Sequence, residues 1–201
     1  MQNGFIILKR EGDNVIPFVA GVKFIMPRVV QQTICFLSRK IHGEGENLLG
    51  KKLTAVQARE ILLQMCDGLK DLHGQKIIHR DIKPSNLILQ GGRIRLIDFD
   101  AARIFKDGKE SDTKLLGTKG YAPPEQFGSG QTDNRSDIYS LGVTIKNLLG
   151  EGCSGRLKNI LDKCTELDPK NRFQSVDELK AALTPEEPEV PPEPEYPPDA
   201  E

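Results

Sequence analysis

The feature that most constrains this chain is a polar octet, His79–Asn86, set between two apolar runs. Ile77-Ile78 precede it and Leu87-Ile88-Leu89 follow it, and short apolar runs of this kind are typical of buried strands. The octet is therefore predicted to be a loop held between two pieces of hydrophobic core. It brings together a carboxylate, cationic side chains and an amide, a combination suited to binding and moving phosphate groups.

The rest of the chain alternates short apolar runs with stretches of helical periodicity. Thr54 and Gln57 form a predicted capping box at the start of one helix, and Ser175 and Glu178 form a similar pair at the start of another. The predicted strands are Phe5–Leu8, Val15–Gly21, Val22–Met26, Leu87–Leu89 and Ile94–Ile97, and the predicted helices are Thr33–Ile41, Thr54–Gly74, Asp133–Leu149, Leu157–Thr165 and Val176–Leu183.

The charge distribution separates a folded part from a tail. Residues 184–201 contain seven acidic residues, no basic residue and seven of the chain's 13 prolines, whereas the whole chain has a net charge of only −1. Such a segment cannot bury enough apolar surface to fold, so a disordered tail is predicted, either as a plain spacer or as a polyproline ligand. The positive charge of residues 1–183 is dispersed, which argues against nucleic acid as a partner.

Compartment and redox state follow from what the sequence lacks. No apolar run approaches the roughly 20 residues that cross a bilayer, and no signal peptide precedes the first strand, so a cytoplasmic location is expected. The four cysteines show no C-x-x-C spacing, which favours buried thiols over disulfides or zinc ligands.

Several motifs resemble those of one family. The octet matches the H-R-D loop of protein kinases, with Asn five residues after the Asp, and Asp98-Phe99-Asp100 is similar to their D-F-G segment with Asp in place of Gly. The run Gly117–Glu125 resembles the end of their activation segment, with P-P-E in place of A-P-E. The chain is thus similar to bacterial-type Ser/Thr protein kinases.

The resemblance implies roles for individual residues. Asp81 would accept the proton of the substrate hydroxyl, Lys83 would lie beside the γ-phosphate, and Thr118 would help seat the substrate. Asn86 and Asp98 would hold Mg²⁺. A Lys two residues after the Asp is typical of Ser/Thr rather than Tyr specificity.

The resemblance also implies structural and regulatory residues. His79 would belong to the frame of the loop. Asp100 would restrict the flipping of Phe99, and Asp137 would anchor the loop from a helix. Glu125 would pair with Arg172. Arg80 would meet a phosphorylated residue of the activation segment, with Ser111 and Thr113 as candidates, or alternatively the unmodified carboxylate of Asp112.

The small lobe of the family is only partly matched. Before residue 54 there is no G-x-G-x-x-G loop, and neither Lys9 nor Lys23 has a helix Glu at a suitable place. The best match instead makes Met26 the gatekeeper, with Pro27 and Val29 as the hinge that binds adenine and Ile88 beneath the ring. The chain is therefore expected to be a truncated or minimal kinase, weak or dependent on a partner, with an uncovered apolar face open to self-association.

The sequence-based prediction is an α+β chain, mainly α, comprising a kinase-like helical lobe with a remnant of the small β lobe. The predicted boundaries are 1–30 for the remnant strands and hinge, 31–183 for the helical lobe and 184–201 for the tail. The expected function is transfer of phosphate from ATP, with Mg²⁺, to a Ser or Thr of a protein. Two alternatives stay open: a non-catalytic binding or scaffold module, and a kinase for small-molecule hydroxyls.

Overall fold

A computed structural model describes residues 45–99, 101–105, 117–128 and 131–184, together with the backbone of three strands within residues 6–23. Several sequence predictions fall outside the described residues. These are the helix at Thr33–Ile41, the hinge residues Met26, Pro27 and Val29, the candidate phosphorylation site Thr113 with its neighbours Ser111 and Asp112, and the tail beyond Thr184.

The first sheet is an antiparallel meander of β1 (Ile6–Glu11), β2 (Asn14–Val19) and β3 (Val22–Lys23). Its register pairs Ile6 with Val19 and Glu11 with Asn14. The predicted strands are confirmed here, and β1 and β2 extend past their predicted limits to Glu11 and Asn14. Strand β1 continues beyond the apolar run because backbone pairing, rather than side-chain hydropathy, decides where a hairpin strand ends.

Helix α1 (Ala55–Gly74) begins at the predicted capping box. The Thr54 hydroxyl accepts a hydrogen bond from the Gln57 backbone N–H, and the Gln57 side chain accepts one from the Thr54 N–H. These reciprocal bonds satisfy donors that the first turn of a helix leaves open. One face of the helix is fully buried and carries Ala58, Ile61, Leu62, Met65, Cys66, Leu69 and Leu72.

Short strands frame the polar octet. Strand β5 (Ile77–Ile78) pairs with β8 (Arg103–Ile104), and β6 (Leu87–Gln90) lies between β4 (Glu46–Asn47) and β7 (Arg93–Leu96). Gly91 and Gly92 have φ angles of 55° and 75°, so the β6–β7 hairpin turns through the two left-handed residues that suit the twist of its strands. The predicted hairpin is confirmed.

Three further helices complete the described lobe: α2 (Asn134–Leu149), α3 (Gly155–Cys164) and α4 (Val176–Leu183). Helix α1 packs against α2 and α4, and α2 packs against α3. Gly142 permits the last contact, because a Cβ at this position would lie 2.6 Å from the Cβ of Cys164. The architecture is mainly helical with few strands, as the sequence predicts.

Cys66, Cys153 and Cys164 are free, and burial raises the pKa of Cys66 and of Cys164 to about 12. The G-x-G-x-x-G pattern at residues 150–155 joins α2 to α3 and does not follow a strand, so it lacks the context of a phosphate-binding loop. Among all the residues that the structure describes, no helix is long and apolar enough to cross a membrane.

Candidate active site

The polar octet leaves β5, passes through a turn of 3₁₀ helix at Pro84–Asn86 and enters β6. The Asn86 backbone N–H donates to the Lys83 carbonyl, and the Ile97 N–H donates to the Asn86 carbonyl. The second bond ties the octet to the chain just after β7, one residue before Asp98. The octet and Asp98 therefore lie close together in the fold.

Asp81 is the centre of the site. Its Oδ1 accepts a 2.7 Å hydrogen bond from the Thr118 hydroxyl, and its Oδ2 accepts a 2.7 Å bond from Lys83 Nζ. Lys83 Nζ also donates to the Thr118 hydroxyl oxygen at 2.8 Å. The three side chains form a closed triangle, although Thr118 lies 37 positions from Asp81 in the sequence.

Asn86 completes the surroundings of the Asp81 carboxylate. Its Nδ2 donates to the Asp81 backbone carbonyl at 2.9 Å and to Oδ2 at 3.1 Å. Burial alone would raise the pKa of Asp81, but the hydrogen bonds from Lys83 and Thr118 and the Lys83 charge outweigh it and lower the pKa below its ordinary value. Asp81 is therefore ionised at neutral pH and can accept a proton.

The octet is anchored from below by Asp137, in the first turn of α2. The Asp137 carboxylate is fully buried and accepts hydrogen bonds from the backbone N–H groups of His79, at 2.9 Å, and Arg80, at 2.8 Å. His73 Nε2, at the end of α1, donates to the same carboxylate at 2.9 Å. Burial acts to raise the pKa of Asp137, and the His73 hydrogen bond with the nearby charges lowers it overall.

His79 is a buried part of the frame. Its Nδ1 accepts the backbone N–H of Asp81 at 3.3 Å, so its Nε2 carries the proton and donates to the Ile97 carbonyl at 3.2 Å. Burial lowers the pKa of this imidazole, which keeps it neutral. The ring meets Phe99 edge to face, with centroids 4.6 Å apart. Phe99 therefore lies beside the octet.

Two residues of the site have left-handed backbones. The φ angle is 69° at Arg80 and 66° at Asp98, a region that non-glycine residues seldom occupy. Arg80 is buried, and burial together with nearby Arg103 lowers the pKa of its guanidinium. Asp98 is exposed.

Glu125 and Arg172 form the predicted pair. Arg172 Nη1 and Nη2 donate to the two Glu125 carboxylate oxygens at 2.7 and 2.9 Å. The remaining guanidinium N–H groups donate to the carbonyls of Glu166, Arg135 and Leu167. All five donors are therefore used, and the guanidinium also lies over the Tyr139 ring at 4.7 Å. This pair fixes the 3₁₀ turn Pro124–Gln126 to the helical lobe.

Of the remaining predicted site residues, Ile88 is among the described residues and the others are not. Ile88 lies in β6 at 1% exposure, and its proposed contact with adenine stays a prediction, as do the roles of Met26, Pro27, Val29 and Thr113. Sequence reasoning missed three side chains that hold the octet, either directly or through Asp137. These are His73, Gln126, which donates to the Arg80 carbonyl at 2.7 Å, and Thr144, which donates to the Ile82 carbonyl at 3.1 Å.

Two of the missed residues carry a local signal. His73 lies four positions after Leu69 and Thr144 lies three after Leu141, so both continue the apolar faces of their helices. A polar residue at such a position must find a buried partner. Gln126 has no comparable signal, because it lies in a short turn without periodicity.

Known proteins similar to this chain include several bacterial serine/threonine-protein kinases. Serine/threonine-protein kinase PknB of Mycobacterium tuberculosis is 30% identical over 71% of this chain and 27% of its own length. PknA of Nostoc sp. is 33% identical over 70% of this chain and 31% of its own length, and pkn2 of Myxococcus xanthus is 35% identical over 61% and 16%. The chain thus spans less than a third of the length of these curated relatives.

The sequence profile described as the protein kinase domain matches residues 22–153, more than half of the chain. The matched region includes Asp81, Lys83, Asn86 and Thr118, whose side chains meet in one site, and Asp137, which holds that site from below. Because this profile matches more than half of the chain and the matched residues form one site, the chain belongs to the protein kinase domain family.

Proposed function

We propose that this chain transfers the γ-phosphoryl group of ATP to a serine or threonine hydroxyl of a protein substrate. The observation that carries the proposal is the triangle of Asp81, Lys83 and Thr118, which places an ionised carboxylate, a cation and a hydroxyl within 2.8 Å of one another. The names of the relatives, all serine/threonine-protein kinases, support the same reaction.

In the proposed reaction the substrate hydroxyl takes up a position beside Asp81. The hydroxyl oxygen forms a bond to the γ-phosphorus while the bond from that phosphorus to the β–γ bridging oxygen breaks, and ADP leaves. The hydroxyl proton passes to the Asp81 carboxylate, which is ionised at neutral pH. Lys83 offsets the charge on the γ-phosphate, and Thr118 orients the carboxylate.

Asn86 and Asp98 are the residues that would hold Mg²⁺. The Asn86 amide nitrogen is engaged with Asp81, so its amide oxygen is the atom suited to a metal, and Asp98 offers an exposed carboxylate. Among the described residues no group of three or more His, Cys, Asp or Glu side chains could hold a metal ion. Two protein oxygens fit Mg²⁺, which usually completes its coordination with phosphate oxygens and water. When bound, it would neutralise charge on the phosphates.

We further propose that adenine binds at the hinge formed by Met26, Pro27 and Val29, above Ile88, and that turnover by this chain is slow. No G-x-G-x-x-G loop occurs before residue 54, and such a loop would cover the phosphates. Catalysis of phosphoryl transfer depends almost wholly on positioning and charge, so a less enclosed nucleotide should react more slowly. A partner that covers the apolar face left open by the partly matched small lobe would raise the rate of transfer.

The test is transfer of radiolabelled phosphate from Mg-ATP to a generic basic protein and to the chain itself, compared with Asp81→Asn. The substitution keeps the shape of the side chain but removes its ability to take a proton, so transfer should fall by about a hundredfold or more. Nucleotide binding without transfer by the wild-type chain would instead favour a binding or scaffold module. Labelling of a small alcohol but of no protein would favour a small-molecule kinase.

A further inference from the structure

The Gln126 side chain is buried at 1% exposure at the end of the 3₁₀ turn Pro124–Gln126. Its Nε2 donates a 2.7 Å hydrogen bond to the backbone carbonyl of Arg80, 46 positions earlier in the chain. Arg80 immediately precedes Asp81. The amide therefore acts on the peptide group that leads into the candidate base.

Among the residues that the structure describes, three distant side chains hold the backbone of the octet, and Gln126 is one of them. Asp137 accepts the N–H groups of His79 and Arg80, Gln126 donates to the Arg80 carbonyl, and Thr144 donates to the Ile82 carbonyl. Both backbone polar groups of Arg80 are thus bound by side chains. Arg80 has a left-handed φ of 69°, which is a strained conformation for a non-glycine residue, and these hydrogen bonds stabilise it.

Gln126 also contacts the activation segment. Gly117 has a φ of 146°, and a Cβ at this position would collide with Gln126 Nε2 and would lie 3.0 Å from the Cβ of Ala122. The Gln126 amide is therefore packed against the backbone of Gly117, the residue before Thr118. One side chain touches the residue before Asp81 and the residue before Thr118.

We propose that Gln126 is a positioning residue, which holds the segment that begins at Gly117 against the octet so that the Thr118 hydroxyl lies opposite Asp81. The inference rests on the proposed function, because its consequence is for phosphoryl transfer. The 2.7 Å bond between Thr118 and Asp81 joins two separate segments and depends on their alignment. A displacement of about 1 Å at a reacting group can cost about a hundredfold in rate.

The first test compares Gln126→Met, which keeps the volume but removes the donor, with Gln64→Met. Gln64 serves as a control because its side chain also binds backbone groups, donating to the Gly92 carbonyl at 3.0 Å and accepting from the Ile94 N–H at 2.9 Å, but at the β6–β7 hairpin instead of the octet. In Gln126→Met, kcat should fall about tenfold or more while KM for ATP stays within about twofold. A kcat equal to that of Gln64→Met would overturn the inference.

A second variant separates hydrogen bonding from packing. In Gln126→Glu, a protonated carboxyl can donate to the Arg80 carbonyl but an ionised one cannot, and burial would raise the pKa of the new carboxyl. The ratio of Gln126→Glu activity to wild-type activity should therefore rise as the pH is lowered from 8 to 6. A residue that only fills space would give a flat ratio, and that outcome would contradict the proposal even where the methionine variant fails to fold.

A third measurement needs no catalysis. The backbone N–H groups of Tyr121 and Ala122 both donate to the Thr118 carbonyl, so their hydrogen exchange reports on the order of this segment. Exchange there should be faster in Gln126→Met than in the wild type and unchanged in Gln64→Met. Unchanged hydrogen exchange in both variants would contradict the proposal that Gln126 holds this segment against the octet. If the wild-type chain transfers no phosphate, the proposed function fails, and the exchange data still decide whether Gln126 braces the segment.

Discussion

The hydroxyl of Thr118 lies 2.7 Å from Oδ1 of Asp81, and the same hydroxyl accepts a hydrogen bond from Lys83. A side chain near the end of the activation segment is thereby part of the hydrogen-bond network of the candidate base. The position of that segment and the orientation of the Asp81 carboxylate are consequently linked, directly by the Thr118 hydroxyl and through Lys83.

Replacement of Thr118 tests this link. Thr118→Ala removes the donor and leaves one Asp81 oxygen without this bond, so kcat should fall by about tenfold to a hundredfold. Thr118→Ser keeps the hydroxyl and should retain most of the activity. Steady-state assays of both variants with Mg-ATP decide the point, and equal losses in the two variants would show that the methyl group matters and the hydroxyl does not.

The pH dependence of turnover should respond to Lys83. Burial favours the protonated form of Asp81, and the bonds from Lys83 and Thr118 lower its pKa despite that burial. In the wild type, kcat/KM should therefore stay flat through neutral pH and fall only at acidic pH. In Lys83→Met the pKa of Asp81 should rise, so the fall should begin at a higher pH.

The normalised pH profile of kcat/KM checks this, because it is independent of the overall loss of rate in Lys83→Met. Lys158→Met is a suitable control, since Lys158 forms an exposed pair with Asp162 on α3. Its profile should coincide with that of the wild type. An acid limb that does not move in Lys83→Met would contradict the assignment of Lys83 as the main cause of the lowered pKa.

The pair of Glu125 and Arg172 should contribute strongly to stability. The Arg172 side chain is 0% exposed, and its guanidinium uses all five donors, so Lys at this position cannot replace it. We expect Arg172→Lys to lower the free energy of unfolding by about 3 kcal/mol, which urea denaturation would measure. The exposed pair of Lys70 and Asp177 offers a contrast, and Lys70→Met should leave the urea midpoint nearly unchanged.

Asp137 should make stability sensitive to acid. Its pKa in the folded chain is lower than that of an ordinary Asp, so its contribution is present above the unfolded pKa of about 3.9 and is lost as the pH falls through the folded value. Asp137→Asn removes one acceptor from the paired N–H groups and should destabilise the chain by about 2 kcal/mol or more at pH 7. The difference between wild type and variant should shrink below about pH 4. A constant difference down to pH 3 would show that the carboxylate charge is unimportant.

The sequence predicts the site well where chemistry is concentrated in a short run. Asp81, Lys83 and Asn86 lie within six residues, and their spacing already indicates a common loop. Thr118, Glu125, Asp137 and Arg172 were placed by family resemblance alone, since no local pattern in the sequence brings residues 47 positions apart together. The starts of α1 and α4 were predictable from the capping residues Thr54 and Ser175, because those interactions are local, whereas α3 begins at Gly155, two residues before the predicted Leu157.

What escaped prediction is the support beneath the loop. The bond from Gln126 to the Arg80 carbonyl joins a side chain to a backbone group, and a backbone group leaves no trace in the identity of the residue that carries it. The end of β1 at Glu11 was missed for a related reason, because pairing with Asn14 extends the strand past its apolar residues. Both cases concern main-chain partners, which hydropathy and spacing do not reveal.

The left-handed backbones of Arg80 and Asp98 bear on how this domain could be engineered. Each non-glycine residue in that region costs about 1 kcal/mol relative to glycine. At Arg80 the side chain is buried, so glycine would also leave a cavity that costs more than the backbone strain. A screen for thermostability alone would therefore be drawn to glycine at the exposed Asp98, where the substitution removes a charged group from the site. Selection for heat resistance and selection for turnover should thus favour different residues at position 98, and a library that varies this position would expose that conflict directly.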